Sequence, residues 1–143
     1  MADAAELIER VDAGAVAYWS TLGILVDDAE APGRVTLRLP MRDALGTRRP
    51  EVMHGGAIAS LIDAAAGAAT ATLREPGDET WAGQATLDMN VTFLNAATGD
   101  AIARGSVLRS SRTLSFVSVE VTDEAGTLLA VGRATYSILR KRE

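Results

Sequence analysis

The 143-residue chain has no cysteine, one histidine (His54) and one lysine (Lys141). The first absence removes disulfides, thiolate metal sites and a cysteine nucleophile together. A single histidine removes any multi-histidine metal centre, so no metal is expected. With its one lysine at the far end, the chain cannot form a Gly-Lys-Ser/Thr phosphate loop, and neither G-x-G-x-x-G nor G-x-S-x-G occurs. The net charge is −5 without a long basic block, which argues against a nucleic-acid partner. The opening MADAAELIERVDAG is acidic and lacks the positive n-region of a secretory signal. The longest apolar stretch, residues 52–73, is rich in Ala and Gly and carries a carboxylate at its centre, so it reads as a buried helix rather than a membrane span. A cytoplasmic location without a membrane partner is the expectation.

What remains is 48% hydrophobic and 23% charged, the balance of one globular domain spanning residues 1–143. Residues 3–20 carry a rough helical stripe of Leu7, Ile8, Val11, Val16 and Trp19, weakened by Gly14. GILVDD and GRVTLRLPM flank the turn signal EAPG and read as a hairpin. After residue 73, QATLDMNVTFL alternates, with Leu87, Met89, Val91 and Phe93 on one face and Thr86, Asp88, Asn90 and Thr92 on the other. Three more strand-like runs follow, the last two joined by DEAG, a tight-turn sequence. The order helix, two strands, long helix, four strands lacks β-α-β alternation. It predicts an α+β fold in which a curved antiparallel sheet carries the apolar helix across it.

From His54 to Leu73 eight residues are Ala and one, Asp63, is formally charged. Such a run is too long for an ordinary strand and is predicted to be a helix of about 30 Å. Ile58, Leu61, Ile62 and Leu73 fall in one sector. Gly56, Ser60, Asp63, Gly67 and Thr70 fall opposite, where a solvated helix would show several charges. The helix is therefore expected to be covered all round, with Asp63 in a tight, partly dry place. Two readings of Asp63 stand. It holds the fold through a backbone N–H or an arginine, or it is a general base or water orienter. His54-Gly55-Gly56 likewise either permits a tight turn or leaves bare N–H donors at the positive end of a helix, as an oxyanion needs. A Ser-His-Asp triad is disfavoured, because no serine has nucleophile context. Asp63 lies nine residues beyond His54, about 13 Å along the axis. Acting on one atom, the two must come from different subunits, which predicts a two-fold homo-oligomer.

HGGAIASLIDAAAG, followed by ATLDMNVTFLNAATGDAIARGSVLRSSRTLSFVSVEVTDEAGTLLAVGRATYSI, resembles hotdog-fold acyl-CoA thioesterases of the phenylacetate-pathway (PaaI-like) type. The likeness covers roughly residues 20–138. The resemblance implies a sheet wrapped around a central helix over residues 54–73, dimers that pair into tetramers, and acyl-CoA hydrolysis with no cofactor beyond the coenzyme A of the substrate. It makes Asp63 the carboxylate that activates or orients water. The Gly55 N–H of the neighbouring subunit, within the His54 motif, becomes the donor to the thioester oxygen. It makes Thr86 an assisting hydroxyl, which reaches the site only if the polar face of its strand turns inward or a bulge re-aims it. Gly56, Arg48 and Arg49 at the helix start, and Ser111, Arg112 and Thr113 in a strand-to-strand turn, are the implied coenzyme A contacts, arginine being suited to phosphate. One departure stands out. The family often has Asn six residues before the histidine and Gly three before it, where this chain has Arg48 and Glu51. Arg48 takes over the carbonyl contact, binds a phosphate or signals a different substrate. A hotdog protein that holds acyl-CoA without cleaving it is the alternative; a hydratase on the same fold ranks behind both.

Overall fold

A computed structural model describes residues 2–12 and 16–142. Two short helices, α1 (Ala4–Asp12) and α2 (Ala17–Leu22), precede the hairpin β1 (Leu25–Ala31) and β2 (Arg34–Leu39). A 3-10 turn at Asp43–Leu45 leads to the long helix α3 (Gly55–Ala71), then β3 (Trp81–Phe93), β4 (Ala101–Ser110), β5 (Leu114–Thr122) and β6 (Leu128–Arg140). The six strands form one antiparallel sheet in the order β1-β2-β4-β5-β6-β3, and α3 packs against β2, β3, β4, β5 and β6. This is the expected α+β architecture, a sheet curled around one central helix in the hotdog manner. Both predicted turns carry a glycine in the left-handed region, Gly33 at φ +83° after Pro32 and Gly126 at φ +89° closing DEAG, where a Cβ would strain the chain.

The composition of α3 explains its depth. Eleven of its seventeen residues are buried, six of them alanines. Small side chains let the helix backbone approach the sheet, and the sheet answers with glycines. A Cβ on Gly105 of β4 would lie 2.9 Å from the Ala65 carbonyl oxygen, and one on Gly132 of β6 would lie 2.8 Å from Ile62 Cγ2. Leu61, Ile62, Leu37, Leu39, Val117, Val119, Val121 and Leu129 fill the space around that contact and are almost wholly buried.

Three details differ from the sequence reading. The single helix expected over residues 3–20 is not one rod. Val16 is extended (φ −86°, ψ 116°) and opens α2 as a separate helix, while residues 13–15, Gly14 among them, lie outside the described residues. Leu73, expected on the helix's apolar sector, follows the end of α3 in a turn. In β3 the alternation does not run unbroken. Thr86 pairs with Tyr136 and Asp88 with Thr135, so Leu87 is the extra residue of a bulge. Met89 and Val91 pack on the core, as the alternation predicts, but Leu87 is 59% exposed. The bulge reverses the parity of the strand, and Gln84 and Thr86 point at α3 instead.

Candidate active site

Asp63 sits half-buried in the middle of α3, between buried Ile62 and Ala64. The Thr86 hydroxyl donates to its Oδ1 at 2.8 Å, and the Tyr136 hydroxyl donates to the same oxygen at 2.7 Å and to the Asp63 carbonyl at 2.9 Å. Thr86 and Tyr136 are cross-strand partners on β3 and β6, so sheet register delivers both hydroxyls to one atom. Among the described residues no cation pairs with Asp63, and Oδ2 has no hydrogen-bond partner. No buried side-chain oxygen or nitrogen among them is left unpartnered, so Oδ2 reaches the surface. A carboxylate pinned through one oxygen and open at the other is shaped to accept a proton from water.

Tyr136 is a site residue that the sequence reading missed. Burial, and then the bond to Asp63, push its phenol well above the ordinary tyrosine value, so it stays protonated and acts as a donor. Gly67, one turn beyond Asp63, makes room for it, because a Cβ there would lie 2.9 Å from the Tyr136 hydroxyl. The small-residue face of α3 is therefore fitted to Tyr136 and to Gln84, whose amide donates to the Gly67 carbonyl at 2.7 Å. The only signal in the sequence is a tyrosine within ATYSIL, which also reads as a core aromatic.

His54 caps α3. Its backbone is extended (φ −63°, ψ 138°) and its Nδ1 accepts the Gly56 N–H at 2.8 Å. That bond uses Gly56, while the Ala57 and Ile58 N–H groups donate to the His54 carbonyl. The Gly55 N–H donates to no group among the described residues, which leaves one bare donor at the positive helix end. The Phe93 ring lies over Gly55, within 3.3 Å of where a Cβ would stand. Arg48 and Arg49 are exposed on the tight turn before the helix, closed by Thr47 N–H to the Val52 carbonyl, and neither forms an ion pair among the described residues. Ser111, Arg112 and Thr113 are exposed in the β4–β5 turn. That turn lies at the opposite end of α3, where the Thr70 hydroxyl donates to the Ser115 hydroxyl.

One chain thus brings Asp63 and Thr86 together. It holds His54, Gly55 and Gly56 as a separate cluster toward the start of α3, and Ser111–Thr113 toward its end. Among the described residues no helix is long and apolar enough to cross a membrane.

A sheet curled around one central helix is the hotdog fold found in thioesterases. The family model of the thioesterase superfamily matches residues 51–130, and the chain belongs to that superfamily, with thioester hydrolysis as its reaction class. It is 36% identical to protein VNG_1336C of Halobacterium salinarum, over 96% of this chain and 94% of that one. It is 32% identical to human acyl-coenzyme A thioesterase 13, over 80% of this chain and 79% of the relative. The E. coli PaaI protein from the phenylacetic acid degradation operon superposes with a TM-score of 0.82, covering 96% of each chain, at 15% identity, a likeness of fold.

Proposed function

We propose that the protein hydrolyses acyl-CoA thioesters at a site shared between two copies of the chain. Water adds to the thioester carbonyl carbon while Asp63 takes its proton through the open Oδ2. The carbonyl oxygen becomes an oxyanion against the Gly55 N–H of the second copy. The C–S bond then breaks, and the thiolate of coenzyme A leaves with the proton from Asp63. Thr86 and Tyr136 hold the carboxylate, and His54 fixes the helix start so that the Gly55 donor stays bare. Arg48, Arg49 and Arg112, with Ser111 and Thr113, are the proposed phosphate and pantetheine contacts. The observation that carries this reading is the Asp63 carboxylate bonded by two hydroxyls and by no cation. The acyl-coenzyme A thioesterase among the relatives supports the substrate class.

The two-copy site draws support from β3. It ends the strand order, so among the described residues one edge of a 13-residue strand has no neighbour, a surface that invites another strand. Antiparallel pairing of two β3 edges about a two-fold near residues 89–90 would set the partner's Phe93, and the Gly55 beneath it, opposite Thr86 and Asp63. The proposed assembly is a homodimer, or a dimer of dimers.

Complementation tests it. Asp63→Asn removes the base and is expected to lower thiol release about 10²–10⁴-fold. Gly55→Pro removes the N–H donor at a first helical position, where proline is well tolerated, and the extended His54 suits a residue before proline. Its expected loss is about 10²–10³-fold. Unfolded and refolded together in equal amounts, the two variants regain about a quarter of wild-type activity, because half the dimers carry one intact site. No regain at all would place both groups in one chain and end the two-copy account. Acyl-CoA binding by the wild type without any thiol release would favour the non-hydrolysing alternative, with Arg48 in place of Asn as its origin.

A further inference from the structure

Along the seam between α3 and β3 the contacts come in rungs. Thr86 meets Asp63, and Gln84 meets Gly67 four residues further along the helix, about 6 Å along the axis. Beyond the second rung the seam opens. Gly67 and Gln84 border a cavity of about 310 Å³. Ala71 and Trp81 continue its wall on the α3–β3 side, and Val11, Val16 and Trp19 of the N-terminal helices close it from the other. Arg10 and Arg74 also border it, the Arg10 guanidinium held by the Thr72 carbonyl at 2.8 Å. The N-terminal wall lies outside residues 51–130, the part of the chain matched by the family model.

We propose that this cavity receives the acyl group, and that it selects an apolar acyl chain of aryl or medium length over a two-carbon one, with Trp19 and Ala71 setting the limit. The inference rests on the reading of Asp63 as the hydrolytic base. A thioester carbonyl held beside Asp63 has its acyl chain one rung from the opening, and the walls it meets there are mainly hydrocarbon and indole. The size fits as well. An apolar cavity of about 150 Å³ holds benzene, and small-molecule pockets begin near 300 Å³. A two-carbon acyl group would leave the walls unpaired.

The chain's two tryptophans, Trp19 and Trp81, both wall the cavity, so intrinsic fluorescence reports its occupancy. Octanoate or benzoate is expected to shift the tryptophan emission and acetate is not, and Ala71→Leu should abolish the shift. In thiol-release assays kcat/KM for octanoyl-CoA or benzoyl-CoA is expected to exceed that for acetyl-CoA at least tenfold, and whichever of the two leads identifies the aliphatic or the aryl source. Ala71→Leu should cut that preference at least tenfold, while Trp19→Ala should move the optimum to longer chains. Emission unmoved by both larger acids, or a chain-length preference untouched by both substitutions, overturns the assignment. If no acyl-CoA is cleaved but the emission shift appears and Ala71→Leu removes it, the cavity stands as an acyl site and the hydrolytic reading fails on its own.

Discussion

At the scale of single residues, the site depends on one oxygen that receives two hydroxyl donors. Tyr136→Phe leaves Oδ1 with Thr86 alone. A hydrogen bond to a charged group is worth about 1.5–3 kcal/mol, so kcat should fall roughly ten- to a hundredfold with KM little changed. The same substitution carries a pH signature. The Tyr136 phenol is raised in the folded protein, so its stabilisation is fully present below the ordinary tyrosine value near about 10. It is lost as the pH climbs through the raised value. Thermal melts from pH 8 to 11.5 should show the wild type losing an increment that Tyr136→Phe never had, so the two curves converge. Gly67→Ala is the steric counterpart. Alanine ordinarily gains about 1 kcal/mol over glycine within a helix. Here the Cβ would stand 2.9 Å from the Tyr136 hydroxyl, and overpacking of that kind costs about 1–3 kcal/mol. The variant should melt no higher than the wild type and lose activity as Tyr136→Phe does; a more stable, fully active Gly67→Ala would show that the tyrosine does not hold the carboxylate. Asp63 was legible in the sequence because a lone carboxylate among alanines contradicts both solvent and core. Tyr136 was not, since a tyrosine in an alternating strand looks the same whether its hydroxyl is used or idle.

At the scale of elements, β3 and β6 are locked at one end by a polar clamp. Arg140 Nη1 donates to Asp78 Oδ2 at 2.8 Å and to the Thr80 hydroxyl at 3.0 Å, its Nε donates to the Arg112 carbonyl at 2.8 Å, and its guanidinium lies 5.0 Å from the Trp81 ring centroid. The hydroxyl and N–H of Thr80, and then Arg140, hold the Asp78 carboxyl down at about 2. A lowered carboxyl contributes stability above the ordinary value near about 4, and that contribution disappears as the pH falls toward 2. Thr80→Val should therefore melt below the wild type at pH 6, with the gap closing by pH 2. A gap that persists undiminished in acid would assign the loss to packing. The strands themselves were readable from alternation to within three residues, and α3 from its alanines to within two residues at either end. What alternation could not supply is the bulge at Leu87. A period of two carries no mark of an inserted residue, yet that residue is what turns Thr86 toward Asp63. Thr86 meets the condition that its strand position set, a bulge that re-aims it.

At the scale of the whole molecule, the unpaired edge of β3 and the half-exposed Phe93 and Leu94 at its end (53% and 48%) make a single chain incomplete under the proposed mechanism. Sedimentation equilibrium should give a dimer or a multiple of it. A monomer at assay concentration with full thiol-release activity would contradict the shared site. Under the proposed mechanism the need for a second copy follows from helix rise, since the Gly55 donor and the Asp63 carboxylate lie too far apart along one rod. The position of β3 did not follow. Short connections suggest that neighbours in sequence pair, but β3 lies beside β6 and not β4, because residues 94–100 carry the chain back under the start of α3, where the Met53 N–H donates to the Ala97 carbonyl. That detour has a consequence during synthesis. Translation delivers about 5–20 residues per second, and β3 leaves the ribosome well before the strand it must join. Until residue 136 emerges, Asp63 lacks its phenol and β3 has no ladder on either side. The nascent chain thus passes through an interval in which this strand is wholly unpaired. Slowing elongation between codons 94 and 128 should raise the aggregated fraction more than slowing it anywhere earlier.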